Sequence, residues 1–293
     1  MPITALALVL TGALIHALWN IAAKKSGGDV RFAFFSSLIM FYAWSPLCIW
    51  LGWTIVPTWG WKEWTAMTVS GLVHWLYFMC LLTGYRKSDL TVVYPVARGS
   101  GPLLSSGVAV IVFGEQLSSY GVLGIAGVVI GVFLVAGGPA LFRAAHDPNK
   151  KARILTGVFW GGLTGCLIAC YTILDAWTVK VLAISPILFD YWSNVLRMPY
   201  TVVPVLRNIP EAKRLWTLQW KYAAVVGVFS PIGYVLVLYA ATMAPVSHVA
   251  PAREVSMLFA ALIGGQLLGE SDRGLRIVGA CAIAAGVMAL ALG

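Results

Sequence analysis

Tyr94–Gly138, YPVARGSGPLLSSGVAVIVFGEQLSSYGVLGIAGVVIGVFLVAGG, overlays Val249–Gly293, VAPAREVSMLFAALIGGQLLGESDRGLRIVGACAIAAGVMALALG, without a gap. The overlay sets Arg98 on Arg253 and Gly114-Glu115 on Gly269-Glu270. It also sets Gly124, Gly131 and Val132 on Gly279, Gly286 and Val287. Both stretches are apolar enough to read as membrane-spanning, and each carries an arginine inside. A guanidinium cannot lose its charge, so holding one at membrane depth is costly and is usually kept for function. Two of them, related by an internal repeat, point to a central site for something anionic.

The composition supports a membrane setting. Of 293 residues, 60% are hydrophobic and only 11% are charged, with a mean hydropathy of +0.85. Soluble domains carry about 25% charged residues. Apolar runs recur along the whole length, so the first reads as a span and not as a signal peptide. The net charge of +9 comes from Lys and Arg gathered in short connections, which suits control of topology better than binding to nucleic acid. Cys48, Cys80, Cys166, Cys170 and Cys281 all fall in apolar segments. Cys166 and Cys170 share a helix face, yet no second ligand pair accompanies them, so the cysteines read as packing residues, with neither metal nor other cofactor expected.

A crossing needs about 20 apolar residues. Ten spans are expected on that basis, at roughly 2–22, 32–54, 64–84, 90–113, 119–138, 153–175, 186–206, 219–241, 247–268 and 274–292. The fold class is therefore an all-α polytopic membrane protein. The longest polar connection, Phe142–Arg153, separates a first five-helix repeat at 1–140 from a second at 154–293, with 141–153 as a cytoplasmic connection. Odd-numbered connections hold Lys24, Lys25 and Arg31; Arg86 and Lys87; Arg143, Lys150, Lys151 and Arg153; Arg207, Lys213, Arg214 and Lys221; Arg273 and Arg276. Even-numbered ones hold only Lys62 and Lys180. Odd connections are thus expected in the cytoplasm and both termini outside. Five is odd, so the second repeat inserts upside down relative to the first, a common plan for secondary transporters with a midplane site. Arg98 would lie roughly 12 Å into its helix from one side, and Arg253 at a similar depth from the other.

Ten spans in two inverted halves, with Pro and a polar residue early in the fourth and ninth and a Gly-Glu pair closing each, resemble the EamA branch of the drug/metabolite transporter superfamily. Ala17-Leu18-Trp19-Asn20 through Lys24 is similar to the first-helix motif of many members, and Gly114-Glu115 and Gly269-Glu270 to the helix-end signature of both halves. The resemblance covers nearly the whole chain. It implies export of amino acids and other metabolites, import of small nutrients, or exchange of phosphorylated compounds, without selecting among them. A bacterial cytoplasmic membrane is the expected location.

Arg98 and Arg253 can clamp a carboxylate, phosphate or phosphonate, since the planar fork matches such oxygens. Alternatively, each locks helices together through Glu254, Asp175 or unwound carbonyls. Pro95, Pro102 and Pro251 interrupt the hydrogen-bond ladder nearby, and freed backbone groups at membrane depth are tolerated where they line a cavity. Glu254 reads as a counterion, a ligand for a substrate ammonium, or a protonatable coupling group. Glu115 and Glu270 read as capping or packing residues. His16, Trp19 and Asn20 form a polar strip in the first span. His74 and Tyr77 in the third, Tyr171 and Asp175 in the sixth and Tyr234 in the eighth are further candidates for the path. Asn194 and Arg197 crowd the seventh. Trp44, Trp50, Trp53, Trp59, Trp61 and Trp64 suggest an interfacial belt. Gly124, Gly127, Gly131, Gly279 and Gly286 permit close helix approach, either between the halves or in a dimer.

The expected function is secondary-active transport of a small organic anion or zwitterion, amino-acid-like or phosphonate-like, by alternating access. Its partners are that solute, the bilayer and either protons or a counter-substrate, with no nucleic acid, in a monomer or homodimer. No Walker motif supplies ATP hydrolysis. The competing classes are a lipid flippase, which needs a polar lateral groove, and a membrane-embedded enzyme. For an enzyme, His146 and Asp147 lack a partner nucleophile. Efflux of cationic or apolar drugs fits poorly with an arginine pair.

Overall fold

The computed structural model describes residues 1–27, 29–136, 151–264 and 273–293. Gly269, Glu270, His146, Asp147, Arg143 and Lys150 lie outside the described residues. Every regular element among those described is helical. In chain order they are α1 (Ile3–Lys25), α2 (Val30–Gly52), a 3-10 turn (Val56–Thr58), α3 (Trp61–Lys87), α4 (Leu90–Phe113) and α5 (Ser119–Val135). The second part holds α6 (Lys151–Lys180), α7 (Pro186–Thr201), α8 (Val203–Leu206), α9 (Ile209–Met243), α10 (Val246–Ala252), α11 (Val255–Gly264) and α12 (Arg273–Leu292). Six helices among the described residues are long and apolar enough to cross a membrane: α1, α2, α3, α4, α6 and α9. α5 and the Ile277–Leu292 part of α12 are shorter apolar helices.

Three elements differ from the sequence expectation, each for a local reason. The seventh span stops at Thr201 and resumes as the short α8, with Pro199 and Pro204 flanking the step. α9 begins ten residues before the expected 219, at Ile209. Pro210 lies in its first turn, Asn208 Oδ1 accepts the Glu211 amide at 3.1 Å, and Arg214 pairs with Glu211 at 2.7 Å, so a charged stretch that reads as loop is a capped helix start. The ninth span is broken: α10 ends at Ala252 and α11 starts at Val255, leaving Arg253 and Glu254 at the joint.

Packing between the halves has the symmetry of an exchange. Matching α1 with α6, α2 with α7, α3 with α9, α4 with α10–α11, and α5 with α12 carries each major contact onto another. α4 packs on α6 as α11 packs on α1, and α3 packs on α6 as α9 packs on α1. Likewise α2 meets α9 and α3 meets α7, while α2–α7 and α5–α12 map onto themselves. Glycines fix the last contact. A Cβ on Gly131 would sit 2.6 Å from the Gly279 carbonyl oxygen, and one on Gly124 would sit 2.8 Å from that of Gly286. The overlay exchanges these two contacts, and rising numbers on α5 meet falling numbers on α12, so the two equivalent helices run antiparallel. The Gly face therefore joins the halves inside one chain.

α4 and α6 instead run parallel, with Gly157, Gly161 and Gly165 of α6 presenting one side to Val92, Val93 and Ser100 of α4. This small-residue stripe brings the helix that carries Arg98 close to the helix that carries Asp175. Away from these seams many large apolar side chains are exposed, with Trp50, Trp53 and Trp61 at 73–76% exposure. The other belt candidates are less exposed: Trp59 meets Trp64 edge-on, Trp64 does the same with Trp192, and Trp44 packs beside Cys48 and Tyr191. Of the cysteines, Cys48 is buried, but Cys166, Cys170 and Cys281 face outward and are not packing residues.

Candidate functional site

Pro251 prepares the joint. It offers no amide to the Ser247 carbonyl one turn earlier, and Ser106 Oγ of α4 donates to that carbonyl instead, at 3.0 Å. Beyond it the backbone tightens to three-residue spacing: Glu254 N donates to Pro251 O at 2.9 Å and Met257 N to Glu254 O at 2.9 Å. Arg98, its partner in the overlay, sits within the unbroken α4 despite Pro95 and Pro102.

The two arginines converge on one carboxylate. Arg98 Nη1 lies 3.4 Å from Glu254 Oε2, and Arg253 Nε lies 3.7 Å from Glu254 Oε1. Glu254 is 1% exposed, so this is an interior cluster with two permanent cations and, among the described residues, a single anion in contact. The Arg98 guanidinium carbon stands 5.9 Å from the Tyr94 ring centre. Among the described residues Arg98 Nε, Glu254 Oε2 and Thr172 Oγ1 are buried without a hydrogen-bond partner, which is uncommon for buried polar atoms.

A second cluster adjoins the first. Asp175 of α6 is fully buried and accepts from Ser70 Oγ of α3 at 2.7 Å and from Tyr234 OH of α9. His74 Nε2 stands 3.7 Å from the same carboxylate, and the His74 ring stacks on Tyr171 at 4.1 Å. Tyr77 meets Tyr171 edge-on at 5.6 Å. Arg253, Tyr234 and Thr172 line one cavity, together with apolar residues of α6, α9 and α10. Its volume is about 20 Å³, room for roughly one water-sized group.

His16 is close enough to both arginines for their charges to act on it, and Trp19 touches it edge-on at 4.7 Å. Asn20 turns back within its own helix, donating to the His16 carbonyl at 2.9 Å. Trp19 also packs toward Phe32 and Phe35. The eleven candidates therefore separate into the arginine–glutamate centre, the Asp175 cluster and the α1 strip.

Sequence reading passed over Ser70, Thr172 and Asp190. Asp190 and Arg197 lie seven residues apart, two turns along the same face of α7, and an acid seven residues before an arginine inside an apolar span was the available signal. Arg197 Nη2 donates to Asn194 Oδ1 at 2.6 Å, and Ser37 Oγ of α2 donates to the same oxygen at 3.0 Å.

Glu115 crosses between the halves. Its carboxylate accepts the amides of Val246 at 2.6 Å and Ser247 at 2.9 Å, the first turn of α10, while Lys180 Nζ lies 3.6 Å away. A first-half carboxylate thus caps the second-half helix that leads into the arginine joint.

The model of the EamA-like transporter family matches residues 3–137 and again residues 155–292. The chain belongs to the EamA-like transporter family. A solved structure described only as "Crystal structure of protein" is similar over 100% of this chain and 98% of its own, at 15% identity and a TM-score of 0.75. That likeness establishes the fold of this EamA-like chain and nothing finer. No protein of curated function matches it. Two copies of the family's unit, together with apolar helices, make the chain a multi-pass membrane protein of a transporter family.

Proposed function

We propose that this EamA-like chain is a secondary transporter for a small organic anion or zwitterion. It would work by alternating access in ten spans arranged as two inverted repeats, in a bacterial cytoplasmic membrane with both termini outside. The observation that carries the reading is the interior imbalance, among the described residues, of Arg98 and Arg253 around the carboxylate of Glu254. A carboxylate or phosphate entering there would balance the second guanidinium and give Arg98 Nε the acceptor it lacks. The antiparallel α5–α12 seam supports inversion, since equivalent helices of the two halves run in opposite directions. A cavity that holds about one water-sized group fits a closed intermediate, which opens to either side when the halves rock about that seam. Tyr94, Tyr171 and Tyr234 offer faces for an ammonium. The chain then binds and releases its solute without chemical change and is not an enzyme.

A thermal-shift screen of the purified protein against anionic, zwitterionic and cationic metabolites tests this. Stabilisation by an anion or zwitterion, lost in Arg98→Ala and Arg253→Ala, is the expected result. Stabilisation by cations alone, or hits indifferent to both substitutions, would reassign the arginines to helix packing.

A further inference from the structure

Beyond the arginines, the Asp175 cluster has a place for one more proton. His74 Nδ1 lies 3.0 Å from the Ser70 carbonyl oxygen, which only accepts, so that nitrogen holds the ring's N–H. The other nitrogen, Nε2, then bears a lone pair and faces Asp175 Oδ2 at 3.7 Å. Tyr234 already donates to Oδ2 and Ser70 to Oδ1, so neither hydroxyl can fill the gap between carboxylate and imidazole. Asp175 is fully buried and His74 partly so; lone pairs facing each other there repel, and one added proton turns that repulsion into attraction. Glu254 is differently placed, between the guanidinium groups of Arg98 and Arg253.

We propose that Asp175, facing His74 Nε2 at 3.7 Å, is a proton-binding site that couples proton movement to anion transport. The groups facing it are His74 of α3, Tyr234 of α9, Tyr171 on its own helix, Asp190 and Arg197 of α7, and Arg253 at the end of α10. Tyr234 and Arg253 line the same cavity, so charge added at Asp175 is felt where the anion would sit. Proton uptake removes a negative charge beside the site and strengthens anion binding, and a bound anion favours proton uptake in return. Where only the empty and the doubly loaded forms change sides, this linkage yields symport of the anion with a proton. This coupling rests on the anion reading above, whereas the proton site itself does not.

Infrared difference spectra of the full chain in lipid bilayers, acid minus alkaline between about pH 5 and 9, test the site without any substrate. The expected result is a carboxylic-acid carbonyl band that shifts in D₂O, is lost in Asp175→Asn and persists in Glu254→Gln. Tyr234→Phe, which removes one donor, keeps the band and moves it to higher frequency. This second variant reports on the site even if Asp175→Asn does not fold. A band that survives in Asp175→Asn, one that ignores Tyr234→Phe, titration of imidazole alone, or no titrating band would each overturn the assignment. Because no solute is present, a failed anion screen leaves a positive spectrum standing, and a negative spectrum leaves anion binding standing.

Discussion

Arg98 Nη1 stands 3.4 Å from Glu254 Oε2, so the continuous arginine helix of one repeat is tied to the broken helix of the other. Glu254 also faces Arg253, and the three charges do not carry equal weight. Glu254→Gln leaves two guanidinium groups without their carboxylate and is expected to cost about 3–5 kcal/mol. Arg98→Ala leaves Glu254 still paired with Arg253 and should cost less. Chemical denaturation in detergent checks the order, and equal stabilities would mean that the cluster does not share one anion.

The α4–α6 seam gives a packing test with an internal control. A Cβ on Gly161 would lie 2.9 Å from the Val93 carbonyl oxygen and 2.9 Å from Val96 Cβ, whereas one on Gly162 meets nothing within 4 Å. Gly161→Ala should therefore lose about 1–3 kcal/mol. Gly162→Ala should gain up to about 1 kcal/mol from helix propensity alone. Melting temperatures that move the same way for both would contradict the close approach.

Glu115 is expected to hold the first turn of α10 in place. Glu115→Ala removes the acceptor of the Val246 and Ser247 amides and should cost about 0.5–2 kcal/mol, as loss of a helix cap does. Hydrogen exchange followed by mass spectrometry provides the local readout. Faster exchange at Val246 and Ser247, with α2 unchanged, is predicted, and unchanged rates there would remove the capping role.

The proposed orientation predicts opposite labelling at two exposed lysines. A cysteine at Lys62 should react with an impermeant maleimide added outside intact cells, and one at Lys213 only after the membrane is opened. The reverse pattern would turn the whole arrangement over, since the placement rests on the Lys and Arg bias.

Much of this was legible in the chain. Period and hydropathy expose apolar helices because a bilayer forces each spanning segment to satisfy its own backbone and to show lipid an apolar surface. The gapless overlay of Tyr94–Gly138 on Val249–Gly293 revealed the repeat, and a charged arginine among apolar residues marked the interior at Arg98 and Arg253. What the sequence could not decide is which equivalent positions would remain equivalent. Arg98 stays in a continuous helix while Arg253 sits at a break, because Ser106 from another helix accommodates the carbonyl that Pro251 abandons. Glu254 stands between both arginines, and Asp175 faces Ser70, His74 and Tyr234, through contacts that join α3, α4, α6, α9 and the α10–α11 joint. Local composition determines that a segment spans, whereas the partners of a buried charge depend on the approach of helices. In this chain that approach was set by the small-residue faces of α5, α6 and α12.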